Sequence, residues 1–423
     1  MNGYYDALVP FKNQLKCTDT LTAVWITVQC PSRVPVGKYH QTIKIEGSKH
    51  FTIQLDYNVH HTTIPLKSSI PITVGVENRC MTEGLNDQEA DNERQPWLDF
   101  VLRYRMTPVF GTQITPERWQ YEHSFSPWAW NDKRSIRLLN DRRYSCYMLP
   151  FFTLSENELA SLLCNIQKKG KLKESLFYIW DEPAYMEDYE QIKQKVNIIR
   201  KYASDARILT TFFCGPRNGP RKGDLYAVFD YLKHHIHVAT ISLAPCKGNE
   251  EEVQHIRYKV PEGIDWWSYV CWQPGGNEPN FLLQMKGIQQ RAIMWRTWKN
   301  GSQGFLYWNC NIYHKRNPFT YITDMPHGDG ILIYPGDILG RKGPIASARL
   351  ERWRDGAEEM ELLRLVEKNY SKEKADTLLN IVYSSPLSFI EKAHNIPFFR
   401  KELLDQLDKT IPIDYKLRIT DFI

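Results

Sequence analysis

From about residue 70 the chain repeats one rhythm, a short apolar run followed by a stretch of helical periodicity. Runs of four to eight apolar residues between turn signals read as buried strands, and runs of ten or more with a 3.6-residue period read as helices. Eight strand candidates follow one another: 71–76, 107–110, 144–152, 176–180, 207–214, 237–243, 265–272 and 304–309. Helices are expected between many of them, at 95–104, 156–168, 186–202, 225–233 and 281–298. Strands that alternate with helices pair in parallel, and eight of them in about 250 residues predict an α/β fold of the (β/α)8 TIM-barrel type.

The flanks differ. Residues 23–29, 39–45 and 51–59 are β-like segments separated by turn residues, the pattern of a small antiparallel β-sandwich. After residue 345, Ala346, Leu350, Trp353, Ala357 and Met360 recur at steps of four and three, so the C-terminal region is expected to be helical. The expected division is therefore 1–66 as an N-terminal β-sandwich, 67–345 as the barrel and 346–423 as a helical region. The polar, Trp-rich stretch 112–134 reads as a long loop over the barrel mouth.

Bulk properties narrow the function. Charged residues make up 24% of the 423, and the formal net charge of +5 is spread along the chain. With no long basic run, nucleic acid is a poor partner. No segment is long and apolar enough to enter a membrane, and the first residues lack the basic-then-apolar pattern of a signal peptide. That pattern fits a cytoplasmic protein, or an exported one whose signal has been removed. Nine cysteines without a C-x-x-C pair argue against a zinc ribbon and a disulfide framework. The histidines, His60 and His61 included, show no ligand spacing, so neither metal nor cofactor is expected. The 13 Trp and 23 Tyr supply core volume and also suit sugar recognition, because each ring has an apolar face and, beside it, a polar group.

The fourth strand runs straight into Asp181 and Glu182, and Pro183 stops it. Residues at the carboxyl end of a barrel strand face the active site, and paired carboxylates suit hydrolysis of a glycosidic bond. Neighbours within a strand point to opposite faces, so both acids reach one substrate only if the strand has ended by Asp181. The competing reading is that they cap the next helix.

Four motifs in this order resemble glycoside hydrolase family 123. They are Trp180, Asp181, Glu182 and Pro183; His327, Gly328, Asp329 and Gly330; Tyr334, Pro335 and Gly336; and the segment from Ser347 through Arg354 and Asp355 to Gly356. The resemblance covers most of the chain. It implies a β-N-acetylgalactosaminidase acting on glycosphingolipid-type glycans, a retaining exo-glycosidase that works by substrate-assisted catalysis. Asp181 would then orient the 2-acetamido group, and Glu182 would protonate the leaving oxygen and later deprotonate water. The sugar's own carbonyl oxygen is the nucleophile, which explains how the two acids can be sequence neighbours. Glu182 must start protonated, a state favoured by burial and by the charge of Asp181, while Asp181 stays ionised.

Sugar contacts are expected from strand-end residues. Trp272 and Trp308 would stack; Gln273, Asn309 and Asp329 would take hydroxyls; Tyr307 or Tyr313 would reach the acetamido carbonyl. Arg349 would pair with a carboxylate at the mouth or hold the last helix in place. Two other readings compete: a double-displacement glycosidase with Glu278 as nucleophile, and a non-catalytic carbohydrate-binding protein.

Overall fold

The computed structural model describes residues 5–12, 14–15, 22–31, 34–47, 49–110, 140–149, 151, 154–313, 317–319 and 325–409. The first two strands, β1 (Gly37–Ile45) and β2 (Phe51–Val59), pair with each other in antiparallel register. Eight more follow: β3 (Ile72–Val76), β4 (Thr107–Phe110), β5 (Tyr147–Leu149), β6 (Ser175–Trp180), β7 (Arg207–Phe212), β8 (Val238–Ser242), β9 (Asp265–Val270) and β10 (Gly304–Tyr307). They form one parallel sheet in the order β4-β3-β10-β9-β8-β7-β6-β5. The sheet curls almost into a closed barrel with helices outside it, and its seam lies between β4 and β5. The stretch 112–134 that joins them lies outside the described residues.

Local chemistry explains why the crossovers are helical. The helix Glu156–Lys168 starts at Ser155 with a reciprocal capping box to Glu158, and buries Leu159, Leu162, Leu163 and Ile166. The helix Met186–Tyr202 buries Tyr189, Ile192, Val196 and Ile199 at steps of three and four. Several elements escaped the sequence reading, these two among them. One is the helix Glu250–Lys259, capped by Asn249. The other is the short hairpin β11 (Ile333–Pro335) and β12 (Pro344–Ala346).

The chain packs as two compact units. The barrel unit gathers the described residues of Met1–Pro10, Leu66–Met360 and Tyr383–Glu391. The segment around Ala7 joins it through an isolated bridge to Ser347 and backbone bonds, Leu8 to Ala346 (2.8 Å) and Ala348 to Asp6 (2.7 Å). The other unit comprises the described residues of Phe11–Pro65, Glu361–Val382 and Lys392–Ile423. It holds β1 and β2 and the helices Lys372–Leu379 and Ile396–Asp408. Within it, Nδ1 of His60 meets Asp408 at 2.8 Å.

The expected sandwich reduces to the two-stranded sheet among the described residues. Residues 23–29 are not a strand there. Val24, Trp25, Ile26 and Val28 are exposed, so the alternation lacks a described partner strand to make it a sheet.

The C-terminal stripe is real: Ala346, Leu350, Trp353, Ala357 and Met360 are all buried. Trp353 packs on Phe281 and Phe305, each with ring centroids 5.2 Å away. Gly356 has a packing reason. A Cβ there would lie 2.1 Å from the carbonyl oxygen of Arg291, so the helices Ala348–Asn369 and Gly287–Lys299 meet where no larger residue fits. Asp355 closes the same contact with an ion pair to Arg291 at 3.1 Å.

Candidate active site

The barrel interior is filled by alternate residues of its strands, among them Val109, Met148, Leu176, Tyr178, Leu209, Val238, Trp267, Tyr269 and Leu306. Above this packing, at the carboxyl ends of the strands, lies a cavity of about 230 Å³. Its walls include Asp181, Glu182, Tyr178, Thr211, Tyr269, Trp272, Tyr307 and Trp308.

The two acids reach one cavity through two departures from regular strand geometry. The pairing of β6 with β7 slips by one residue between Tyr178 and Trp180. A bulge of this kind re-aims the side chains beyond it. The strand then ends at Trp180, and Glu182 takes a positive φ of 49°. Left-handed backbone is costly for a residue with a Cβ, and such strain clusters at functional sites. Here it turns the chain so that consecutive side chains share the cavity.

Hydrogen bonds hold both acids. Oδ1 of Asp181 accepts from the hydroxyls of Tyr178 (2.8 Å) and Thr211 (2.7 Å). The Tyr269 hydroxyl donates to Oε1 of Glu182 in a short contact. Burial pushes both phenols well above their ordinary pKa, and the neighbouring acids push the same way. They stay protonated and remain donors. The helix beginning at Met186 takes its first-turn acids from Glu187 and Asp188, and the Asp188 carboxylate accepts from the Ala184 and Tyr185 amides. These contacts do the capping work that the competing reading gave to Asp181 and Glu182.

The second motif forms a device behind the cavity. Gly328 (φ 85°) and Gly330 (φ 70°) flank Asp329 with backbone that favours glycine. They deliver its carboxylate between two aromatic residues. Oδ1 accepts from Trp308 Nε1 (3.0 Å) and the Tyr307 hydroxyl (3.1 Å), and that hydroxyl accepts from the Gly330 amide (2.9 Å). Oδ2 is buried without a hydrogen-bond partner among the described residues. Burial raises the Asp329 carboxyl to about 6, against the pull of Trp308 and Tyr307.

Arg349 stands behind that loop with every guanidinium donor used. Nε and Nη2 donate to Asp6 (3.0 and 2.8 Å), Nη1 to the carbonyls of Phe281 (2.6 Å) and Gly328 (2.7 Å), and Nη2 also to Ile331. The Tyr334 hydroxyl donates to the same Asp6 carboxylate at 2.7 Å. The third and fourth motifs thus converge on Asp6, and Arg349 braces the Gly328 loop instead of lining the cavity.

Of the other expected contacts, Trp272, Tyr307 and Trp308 line the cavity, and Trp272 is 48% exposed at its rim. Gln273, Asn309 and Tyr313 are not among its walls. Asn309 accepts from the Asn311 amide (2.9 Å), and Tyr313 is buried against Cys80. Glu278 is also elsewhere. It is buried on Arg296 (2.8 Å), and burial lifts its carboxyl above the usual range despite that cation. The sequence reading missed Tyr178, Thr211 and Tyr269. The first and last were visible as polar-tipped aromatics two or three residues before a strand end.

A barrel with a walled cavity and carboxylates at its strand ends suits a glycoside hydrolase. Residues 97–366 match the catalytic domain of glycoside hydrolase 123. The chain belongs to glycoside hydrolase family 123. Among solved structures, a family 123 glycoside hydrolase from Clostridium perfringens, whose structure addresses glycolipid glycan hydrolysis, aligns with TM-score 0.61 and 15% identity, over 90% of this chain and 77% of that one. A GH10 xylanase of Thermobacillus composti aligns with TM-score 0.35 and 14% identity, over 68% and 97%. A β-D-glucuronidase of Dictyoglomus thermophilum gives 0.37 and 11%, over 75% and 57%. No curated protein sequence matches the chain.

Proposed function

We propose that this glycoside hydrolase is a retaining exo-enzyme that removes terminal β-linked N-acetylhexosamine, N-acetylgalactosamine in particular, by substrate-assisted catalysis. One observation carries the reading. Among the described residues, Asp181 and Glu182 are the only carboxylates lining the cavity, and they are sequence neighbours. Classical double displacement places its two carboxyl groups on opposite sides of the scissile bond. Glu278, the one alternative nucleophile, is committed to Arg296. A nucleophile carried by the substrate suits this arrangement.

In the proposed cycle the acetamido oxygen attacks the anomeric carbon while Glu182 gives its proton to the leaving oxygen. Asp181 stays ionised and offsets positive charge growing on the acetamido nitrogen. Water, deprotonated by Glu182, then opens the cyclic oxazolinium-type intermediate, and the two inversions give net retention. Tyr178 and Tyr269 donate hydrogen bonds to the acids, while Trp308 and Trp272 present aromatic surface to the sugar. A cavity of about 230 Å³ is smaller than the roughly 300–1,000 Å³ pockets that hold drug-sized ligands, which fits one terminal residue. The Clostridium perfringens protein is described as hydrolysing glycolipid glycans, and we propose the same substrate class here.

Para-nitrophenyl β-glycosides test the reading. The N-acetyl-β-galactosaminide should turn over, faster than its glucosamine epimer, and the 2-hydroxy galactoside should be inert. Asp181→Asn and Glu182→Gln should each lose at least about a hundredfold in kcat with the fold intact. Wild-type rates in either variant contradict it.

A further inference from the structure

We propose that Thr211 is the positioning residue that locks the two carboxylates into one working unit. The inference rests on the proposed roles of Asp181 and Glu182, and nothing in the chain's motifs points to it. Its hydroxyl touches three groups. Oγ1 lies 2.7 Å from Oδ1 of Asp181, 3.0 Å from the Glu182 amide nitrogen and 3.0 Å from the Tyr178 hydroxyl.

The direction of these bonds follows from what each group is able to do. A backbone amide only donates, so the Thr211 oxygen accepts from Glu182. An ionised carboxylate only accepts, so the single Thr211 proton goes to Asp181. Tyr178 also gives its proton to that carboxylate oxygen, at 2.8 Å. One hydroxyl therefore fixes the side chain of the first acid and the main chain of the second.

The main-chain bond matters because Glu182 is the residue with φ 49°. That conformation persists only where surroundings over-determine it. Thr211 reaches it because β7 is the sheet neighbour of β6 and the one-residue slip sets Trp180 opposite Thr210. Asp181 then falls beside Thr211. The bulge, the left-handed turn and the threonine work as a single device.

Replacement of the hydroxyl tests this. Thr211→Val keeps the branched shape and removes both bonds. We expect kcat per folded protein to fall at least about tenfold, with KM changing far less. The acid limb of the kcat/KM profile should move to higher pH, because Asp181 loses a donor that favours its charged form. Thr211→Ser should restore both rate and profile. If the valine variant does not fold, Thr211→Ala against Thr211→Ser isolates the hydroxyl in two smaller side chains. A valine or alanine variant with the serine variant's kcat and pH profile overturns the proposal, even if its melting temperature drops. Asp181→Asn, assayed alongside, separates the two ideas. An inactive Asp181→Asn with an unaffected Thr211→Val sinks only the locking role. A fully active Asp181→Asn sinks the catalytic reading beneath it.

Discussion

Asp329 shows how far a single residue's environment departs from what its sequence context announces. As part of a Gly-Asp-Gly motif it reads as a loop acid facing a sugar hydroxyl. In the fold it is 2% exposed, and one of its oxygens serves Trp308 and Tyr307. Its carboxyl is raised from 3.8 to about 6 by burial. The native state therefore holds this proton more tightly than the unfolded chain. Stability from this group is fully present below pH 4 and is lost as the pH rises through 6, a contribution on the order of 3 kcal/mol. Asp329→Asn cannot ionise, so its melting temperature relative to wild type should climb between pH 4 and pH 7. Differential scanning calorimetry across that range checks the sign, and a gap that stays constant or narrows contradicts it. The proposed catalytic pair stood out in the sequence because two acids at the end of an apolar run are conspicuous, and both line the cavity. Thr211 did not, because its importance comes from β7 lying beside β6.

At the scale of elements, apolar runs and helical periods located all eight barrel strands to within a few residues. The helix Met186–Tyr202 falls where its pattern set it. The helix Glu250–Lys259 went unseen because it buries only Val253 and Ile256, too few apolar positions to make a stripe. Residues 23–29 show the opposite failure, a strand pattern without a described strand. Periodicity specifies a face, and only a partner makes that face a sheet. The helix contact at Gly356 is also testable. With the Arg291 carbonyl 2.1 Å from where its Cβ would sit, Gly356→Ala must push two packed helices apart. Overpacking of this kind costs roughly 1–3 kcal/mol, and denaturant unfolding should show a lowered midpoint. An unchanged midpoint would mean that the contact yields freely.

Across the molecule, three of the four motifs that carry the family resemblance prove to be parts of one brace. Asp6 binds Arg349 and Tyr334, and Arg349 holds Gly328 and Ile331 beside Asp329. The brace spans 343 positions of sequence, a distance over which no local pattern speaks. Asp6→Ala leaves a buried guanidinium without its counter-charge. It should cost about 3–5 kcal/mol of stability, far more than a typical N-terminal substitution. Chemical denaturation reads this directly, and a loss below about 1 kcal/mol shows that the brace is dispensable. The central claim, that this glycoside hydrolase lets a bound amino sugar act as its own nucleophile beside Asp181 and Glu182, is tested most directly by the inhibition constant of a galacto-configured N-acetyl thiazoline. That compound mimics the cyclic intermediate, so it should bind at least about a hundredfold more tightly than N-acetylgalactosamine. Equal affinity for the two would contradict the account.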